Sequence, residues 1–306
     1  MAGSHFFAQG CAFVDNVFVP AEAARLPIFD WGFLHGDATY DVVHVWNGAF
    51  FRYEDHLDRF FRSCDALHLK PPIDRERIAH VLAECVSRSD LKSAYVEMIC
   101  TRGLPKPGSR DPRDCTNRFY AFAIPFVWVA NEEQRARGLK LIVSPVQRIP
   151  PESVDPVVKN YHWLDFTRGL FDAYDRGGET VVLVDSDGNV SEGPGFNIFA
   201  VRDGAVVTPG HGTLEGITRK TVIELCDEID IACRGDAVSP DALRTAAEVF
   251  ISSTAGGIMP VTVVDGEQIG NGNPGPVTNR LRDLYWSKKE AGWHATPIDY
   301  RHVPQG

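Results

Sequence analysis

Apolar and polar positions recur with two different periods along the 306 residues, and each change of period marks an element. Residues 11–20 and 39–51 are rich in valine and aromatics, and each run is interrupted by a turn pair, Asp15-Asn16 and Asn47-Gly48. That pattern predicts two strand pairs. Over 54–69 the spacing becomes helical, with Leu57, Phe60, Phe61, Cys64 and Leu67 on one face. A second helix is predicted over 74–87, turning Ile78, Val81, Leu82 and Cys85 inward. Residues 94–101 and 118–129 read as buried strands. The 15 residues between, 103–117, hold three prolines, two glycines and five charges without periodicity, which predicts a functional loop or mobile lid.

The polar run 131–138 reads as a linker. Beyond it the pattern predicts a strand over 139–146 and a helix over 165–176 closed by Gly177-Gly178. A hairpin follows, formed by 180–185 and 196–201 about Asp187-Gly188-Asn189. Then come a helix over 217–229, strands over 249–252 and 261–264, and a last helix over 276–291. Mixed order of strands and helices predicts an α+β fold. Its smaller α+β domain spans 1–130, its interdomain linker 131–138 and its larger domain 139–306.

With 44% hydrophobic residues the chain has ample material for a core. Lys+Arg is 31 and Asp+Glu is 41, a net charge of −10, which argues against nucleic acid or an anionic membrane as a partner. Residues 1–12 lack a basic start before an apolar run, so no signal peptide is expected. The longest apolar stretch, 120–130, contains Pro125 and falls short of the roughly 20 residues a membrane helix needs. Seven scattered cysteines, none in a CxxC pair, suggest reduced thiols in a cytoplasmic protein. Ten histidines form no HExxH, so no metal site is expected.

Of the eight lysines, Lys159 is set apart by its flanks, Val157-Val158 and Tyr161-His162-Trp163-Leu164. The others read as solvated, including Lys288-Lys289 beside Glu290. A partly desolvated amine at 159 would be a nucleophile; a snorkelling lysine is the plain alternative. Glu192 precedes the tight turn Gly193-Pro194-Gly195 and the apolar Phe196-Asn197-Ile198. It is either a ligand-facing acid or an exposed hairpin acid. Gly216-Ile217-Thr218-Arg219 opens an amphipathic helix, as an anion site or as simple capping. Ser253-Thr254-Ala255-Gly256-Gly257 is a phosphate-sized turn or a polar loop. Arg59 either pairs at the surface with Asp55 or Asp58 or reaches inward to a phosphate.

In this order, Arg59, Lys159-Asn160-Tyr161, Glu192-Gly193, Gly216-Ile217-Thr218-Arg219 and Ser253-Thr254 resemble the fold-type IV pyridoxal phosphate enzymes, over about residues 13–286. That group contains branched-chain and D-amino-acid aminotransferases, aminodeoxychorismate lyase and (R)-selective amine transaminases. The resemblance implies pyridoxal 5'-phosphate as cofactor and a two-domain architecture of the D-amino-acid aminotransferase kind. It implies that Lys159 bonds to the cofactor, that Glu192 faces the pyridine nitrogen, and that Arg59, Ile217, Thr218 and Thr254 cradle the phosphate. Ser253, Phe196 and Asn197 fall in the matching cofactor segments.

Where branched-chain enzymes carry Tyr-Gly-x-Gly-x-Phe-Glu-Gly-x-Arg, this chain has His35-Gly36-Asp37-Ala38-Thr39-Tyr40-Asp41-Val42-Val43-His44. That version is similar to the (R)-selective amine transaminases. The resemblance then implies ping-pong transfer from a primary amine to an α-keto acid such as pyruvate, in a homodimer. It implies a substrate pocket of His35, Tyr40, Val42, Met98 and Trp163, with Arg110 or Arg113 of the loop, Arg102 being the third candidate, receiving a carboxylate. The alternatives are a D-amino-acid or branched-chain aminotransferase, a lyase of the same fold, or a non-enzymatic binder of the cofactor. A nicotinamide enzyme would need the GxGxxG that is absent.

Overall fold

Left-handed turn residues build the first sheet. Asp15 and Asn16 (φ 52° and 63°) connect β1 (Cys11–Val14) to β2 (Val17–Pro20), and Asn47 and Gly48 (φ 51° and 78°) connect β3 (Ala38–Trp46) to β4 (Ala49–Phe51). Both turns fall where the sequence places them. The computed structural model describes residues 4–301, so residues 1–3 of the stretch read for a leader lie outside the described residues.

β5 (Ala94–Pro105) runs four residues beyond its apolar pattern, and β6 (Cys115–Pro125) starts three residues before its own and ends four short of it. Strand claims 103–105 and 115–117 of the expected loop, which leaves 106–114 as the connection, with a single 3-10 turn at Pro112–Asp114. A register shift between Thr101 and Leu104 marks the bulge that Gly103 permits: a Cβ there would lie 1.8 Å from the Thr116 carbonyl oxygen. The sheet has seven strands among the described residues, ordered from the late strand Ala295–Pro297 through β4, β3, β5, β6 and β1 to β2.

The helices Tyr53–Ala66 and Arg75–Ser89 cover one face of this sheet. Asp74 caps the second through the Arg77 N–H at 2.8 Å. Val43, Val45, Val96, Met98, Cys100, Phe119 and Ala121 meet Leu57, Phe60, Ile78 and Leu82 in that core. Strand alternation puts Tyr40, Val42, His44, Tyr95, Glu97 and Ile99 on the opposite face.

The second sheet has eight strands among the described residues. They are β7 (Leu139–Gln147), β8 (Thr180–Val184), β9 (Asn197–Arg202), β10 (Ala205–Pro209), β11 (Cys233–Asp236), β12 (Glu248–Ser253) and β13 (Gly257–Val264), in the order β11-β10-β9-β12-β13-β7-β8, with Glu267–Gln268 against β13. The expected hairpin of β8 with β9 does not form. β9 turns at Asp203-Gly204 into β10 and pairs with β12, while β8 lies parallel to β7 at the edge. Two neighbouring apolar runs carry no sign of which strand each will choose.

The chain divides into two compact units. The first is Met1–Val127, Val158–Tyr161 and Gly292–Gly306; the second is Trp128–Val157 and His162–Ala291. This corrects the expected division twice. Residues 131–138 are no linker, because a capping box of Asn131 and Gln134 opens the helix Glu132–Arg137 in the second unit. Lys159 belongs to the first unit, not to the larger later domain, because its backbone bonds to β3.

Candidate active site

Lys159 is held by its backbone. Its carbonyl accepts the Thr39 hydroxyl at 2.6 Å and the Tyr40 N–H at 3.2 Å, and its N–H donates to Ser63 Oγ at 3.3 Å. Asn160 bridges Thr39, extending the sheet pattern by one pair. Pinned this way, the side chain lies over the Tyr40 ring, with Nζ 4.4 Å from the ring centroid.

Tyr40 stacks on Tyr161 at 4.3 Å, and the Tyr161 hydroxyl donates to Glu97 Oε1 at 2.6 Å. Tyr95 donates to Glu97 Oε2 at 3.3 Å. Burial pushes the Glu97 carboxyl up from its ordinary value, opposed by the Tyr161 hydrogen bond and the Lys159 charge. Burial likewise pushes the Tyr161 and Tyr95 phenols up. Glu97 has no role in the sequence reading, although a lone acid within the apolar run 94–101 is a signal.

Arg59 is buried, and the partner it meets there is Asp41 of β3. Its Nε and Nη2 donate to Asp41 Oδ2 and Oδ1 at 2.7 and 2.8 Å. His56 Nδ1 lies 2.8 Å from the same carboxylate, and all three residues are buried. Burial alone would raise the Asp41 carboxyl, but the Arg59 and His56 contacts outweigh it and hold the group below the ordinary carboxylate range. Burial lowers the His56 pKa, against the pull of Asp41.

Of the expected pocket residues, Tyr40 and Val42 share the Lys159 side of the sheet. Met98 does not. It is fully buried in the helix-side core, one register position from the outward-facing Glu97. The core that buries Cys64 and Phe60 claims Met98 as well, so it is corrected to a core residue. His35 and Arg110 line one cavity of about 430 Å³ with Trp31 and Ser109. The other loop arginines are engaged elsewhere. Arg102 is bound to Asp37 at 2.9 and 3.0 Å and to the carbonyls of Leu67 and His68, and exposed Arg113 chelates Asp111 two residues away.

In the second unit, Glu192 is buried. Its Oε2 accepts the Leu214 N–H at 2.9 Å and its Oε1 the Arg148 Nε–H at 3.3 Å. Arg148 also donates to Asp165 at 2.6 Å and lies over the Phe166 ring. Nothing in the sequence singles out Arg148, Asp165 or Leu214.

The loop through Leu214 is tied to the Glu192 segment three times. Ser191 donates to the Gly212 carbonyl and Asn197 to the Leu214 carbonyl, both at 2.9 Å, in addition to the Leu214 bond. That loop delivers Gly216, whose missing Cβ would lie 2.1 Å from Asn197 Oδ1. The helix Ile217–Glu228 starts there with no side-chain cap and with Ile217 and Thr218 buried. The N–H groups of its first turn have no acceptor within the helix.

Ser253 donates to the Gly195 carbonyl at 2.8 Å and accepts from the Ala255 N–H, so its hydroxyl shapes the turn that carries Thr254. Trp163 sits beside Gly195. Phe196 packs its ring into the sheet core, so its side chain supports the turn from behind. Among the described residues no cluster of three or more His, Cys, Asp or Glu is arranged to hold a metal.

The first unit thus presents an oriented guanidinium and an amine that can react with a carbonyl, and the second, taken by itself, a buried acid on fixed donors and an uncapped helix start. The family model for class IV aminotransferases matches residues 38–264, and the chain belongs to that family. It is 32% identical over 276 residues to a putative branched-chain-amino-acid aminotransferase of Methanocaldococcus jannaschii, covering 89% of this chain and 94% of the relative. It is 27% identical over 272 residues to the branched-chain-amino-acid aminotransferase of Escherichia coli, covering 87% and 88%. The crystal structure of the T.th. branched-chain amino acid aminotransferase with pyridoxamine 5'-phosphate superposes with a TM-score of 0.87 at 27% identity, covering 95% of this chain and 99% of that one. The two-sheet α+β fold is the one these aminotransferases share.

Proposed function

We propose that this aminotransferase moves the amino group of an (R)-configured primary amine lacking an α-carboxylate to an α-keto acid such as pyruvate. The observation that carries the reading is the chemistry beside Lys159. On β3 and β5 the face under its amine carries Tyr40, Val42, His44, Tyr95, Glu97 and Ile99, with no arginine or lysine. A substrate carboxylate brought there meets the Glu97 carboxylate; an aryl or alkyl group meets aromatic rings and valine.

Pyridoxal 5'-phosphate suits the donors of each unit taken by itself. Arg59, the N–H groups of Ile217 and Thr218, and Thr254 would hold its phosphate, and Glu192 would face its ring nitrogen. Ser253, Phe196 and Asn197 keep those segments in place. When bound, the cofactor supplies an electron-withdrawing ring that makes the substrate's carbon-bound proton acidic. Lys159 would bond to the cofactor, and its amine, once displaced by the substrate's, would take that proton and return it to the cofactor's carbon on the far side of the transferred nitrogen. Its pinned backbone leaves only side-chain torsions for that movement. Arg110, which shares a cavity with His35, would receive the keto acid's carboxylate, and Trp163, beside the Gly195 turn, would meet an apolar substituent.

A homodimer is supported by Leu26, Ile28, Phe29, Phe33 and Leu34, five large apolar side chains exposed within nine residues. Free cysteines support a cytoplasmic location, and no helix among the described residues is long and apolar enough to cross a membrane. A branched-chain amino acid as donor is the second reading, favoured by the names of the relatives.

The test is the visible absorption of the cofactor-loaded protein, without acceptor, as each donor is added. Loss of the band with (R)-1-phenylethylamine, and not with its (S) enantiomer, is expected. Loss with L-leucine and neither amine would replace the proposal by the branched-chain reading, and loss with D-alanine alone by a D-amino-acid aminotransferase.

A further inference from the structure

We propose that Asp41 and His56 are positioning residues that lock Arg59 in the orientation that receives the cofactor's phosphate. The inference rests on the reading of Arg59 as a phosphate ligand.

An arginine side chain is long and samples many rotamers, so an unrestrained one loses entropy when it binds an anion. Here that freedom is already removed. Asp41 grips the guanidinium along one edge, through Nε at 2.7 Å and Nη2 at 2.8 Å, which fixes its plane and turns the opposite edge away from the carboxylate. The carboxylate is fixed in turn. The N–H of Val42 donates to Oδ1 at 2.7 Å, and His56 Nδ1 reaches the same oxygen at 2.8 Å. An ionised carboxylate only accepts, so His56 carries its proton on Nδ1.

Two elements supply the clamp. Asp41 comes from the middle of β3, and His56 and Arg59 are three residues apart on one face of the helix Tyr53–Ala66. Ser63, one further turn along that face, accepts the backbone N–H of Lys159. One helix thus sets the place of both the arginine and the nucleophilic lysine.

Stability alone does not explain the cluster. A buried ion pair adds little over apolar residues of similar volume, because both charges are stripped of water. Apolar replacements would leave no directed cation. All three side chains are at most 4% exposed, so water does not compete for the geometry. The sequence shows Asp41 only as a departure from the glutamate of the branched-chain pattern, and gives His56 no role.

The experiment compares dissociation constants for pyridoxal phosphate and for pyridoxal, which lacks the phosphate, in the full-length protein stripped of cofactor. The variants are Asp41→Asn, Asp41→Glu, His56→Ala and Arg59→Gln, each with a thermal melt. Asp41→Asn is expected to weaken pyridoxal phosphate roughly tenfold and His56→Ala about threefold, with pyridoxal changed less than about twofold. Asp41→Glu, which keeps the charge, is expected to recover part of the loss.

If Arg59→Gln leaves the ratio of the two constants unchanged, the phosphate role of Arg59 falls, and the clamp with it. If Arg59→Gln lowers the preference for the phosphorylated ligand while Asp41→Asn and His56→Ala do not, Arg59 stands and the clamp is overturned. A lowered melting temperature with an unchanged ratio would also overturn it, showing a structural role only. Should Asp41→Asn not fold, His56→Ala decides by the same ratio, because it leaves the ion pair intact.

Discussion

Glu97 and Lys289 show how far burial changes what a charged residue does. Glu97 is the acid on the strand face under the Lys159 amine; both its oxygens already accept from tyrosine hydroxyls, so it offers no donor to a second carboxylate there. Glutamine in its place can accept from one tyrosine and turn its amide N–H groups toward the other and toward a carboxylate. The kcat/KM for D-alanine or L-leucine relative to 1-phenylethylamine is expected to rise roughly tenfold in Glu97→Gln.

Lys289 reads in the sequence as solvated beside Glu290. Instead it is buried against the Trp286 ring at 4.0 Å, and burial lowers its pKa from 10.5 to about 6, with Glu290 acting in the opposite direction. Between those two values the unfolded chain holds a proton that the folded chain does not, so this group's contribution to stability rises with pH across that window. Its penalty is largest below the lower value. Lys289→Met should therefore melt several degrees above the parent at pH 6, with the difference shrinking toward pH 10. Melts of both proteins across that range check the sign.

At the scale of elements, periodicity locates the main helices to within a few residues: 54–69 is expected and Tyr53–Ala66 observed, 217–229 is expected and Ile217–Glu228 observed. The apolar stripe that each helix needs for its core is written locally. Strand partners are not. The assignment of β9 to β8 fails because β10, reached by the tight turn at Gly204, offers a nearer antiparallel edge. Met98 fails by one position, since a strand of apolar residues interrupted by a single acid does not announce which parity faces the helices.

The start of the helix Ile217–Glu228 carries a prediction of this scale. Gly216 has an ordinary φ of −62°, so only the contact with Asn197 excludes a side chain. Gly216→Ala should displace the Asn197 amide from the Leu214 carbonyl, costing about 1–3 kcal/mol of stability. It should also weaken cofactor retention, read together with the melt by dialysis of the loaded protein.

For the whole molecule, the exposed run 26–34 is the feature a lone chain explains least. Phe29 is 71% exposed and Phe33 65%. Large apolar side chains gathered on one short segment mark an interaction surface. The double variant Phe29→Asp, Phe33→Asp is expected to sediment as a monomer where the parent sediments as a dimer. A parent that sediments as a monomer at micromolar concentration would remove the homodimer from the proposal.

The sequence by itself determined the class of fold, the main helices and the turn pairs, and singled out an ordered set of candidate cofactor residues, because each rests on local spacing or on a motif a few residues long. Lys159, Glu192 and the Gly216-Ile217-Thr218 helix start stand out as candidates in this way. Only the tertiary structure decided what surrounds them. Arg59 meets Asp41 from 18 positions away, Glu192 meets Leu214 from 22 and Arg148 from 44, and Tyr161 meets Glu97 from 64. Such partners are chosen by strand order and helix rotation. Both follow from burying apolar surface over a whole unit, and no short stretch of sequence carries that information.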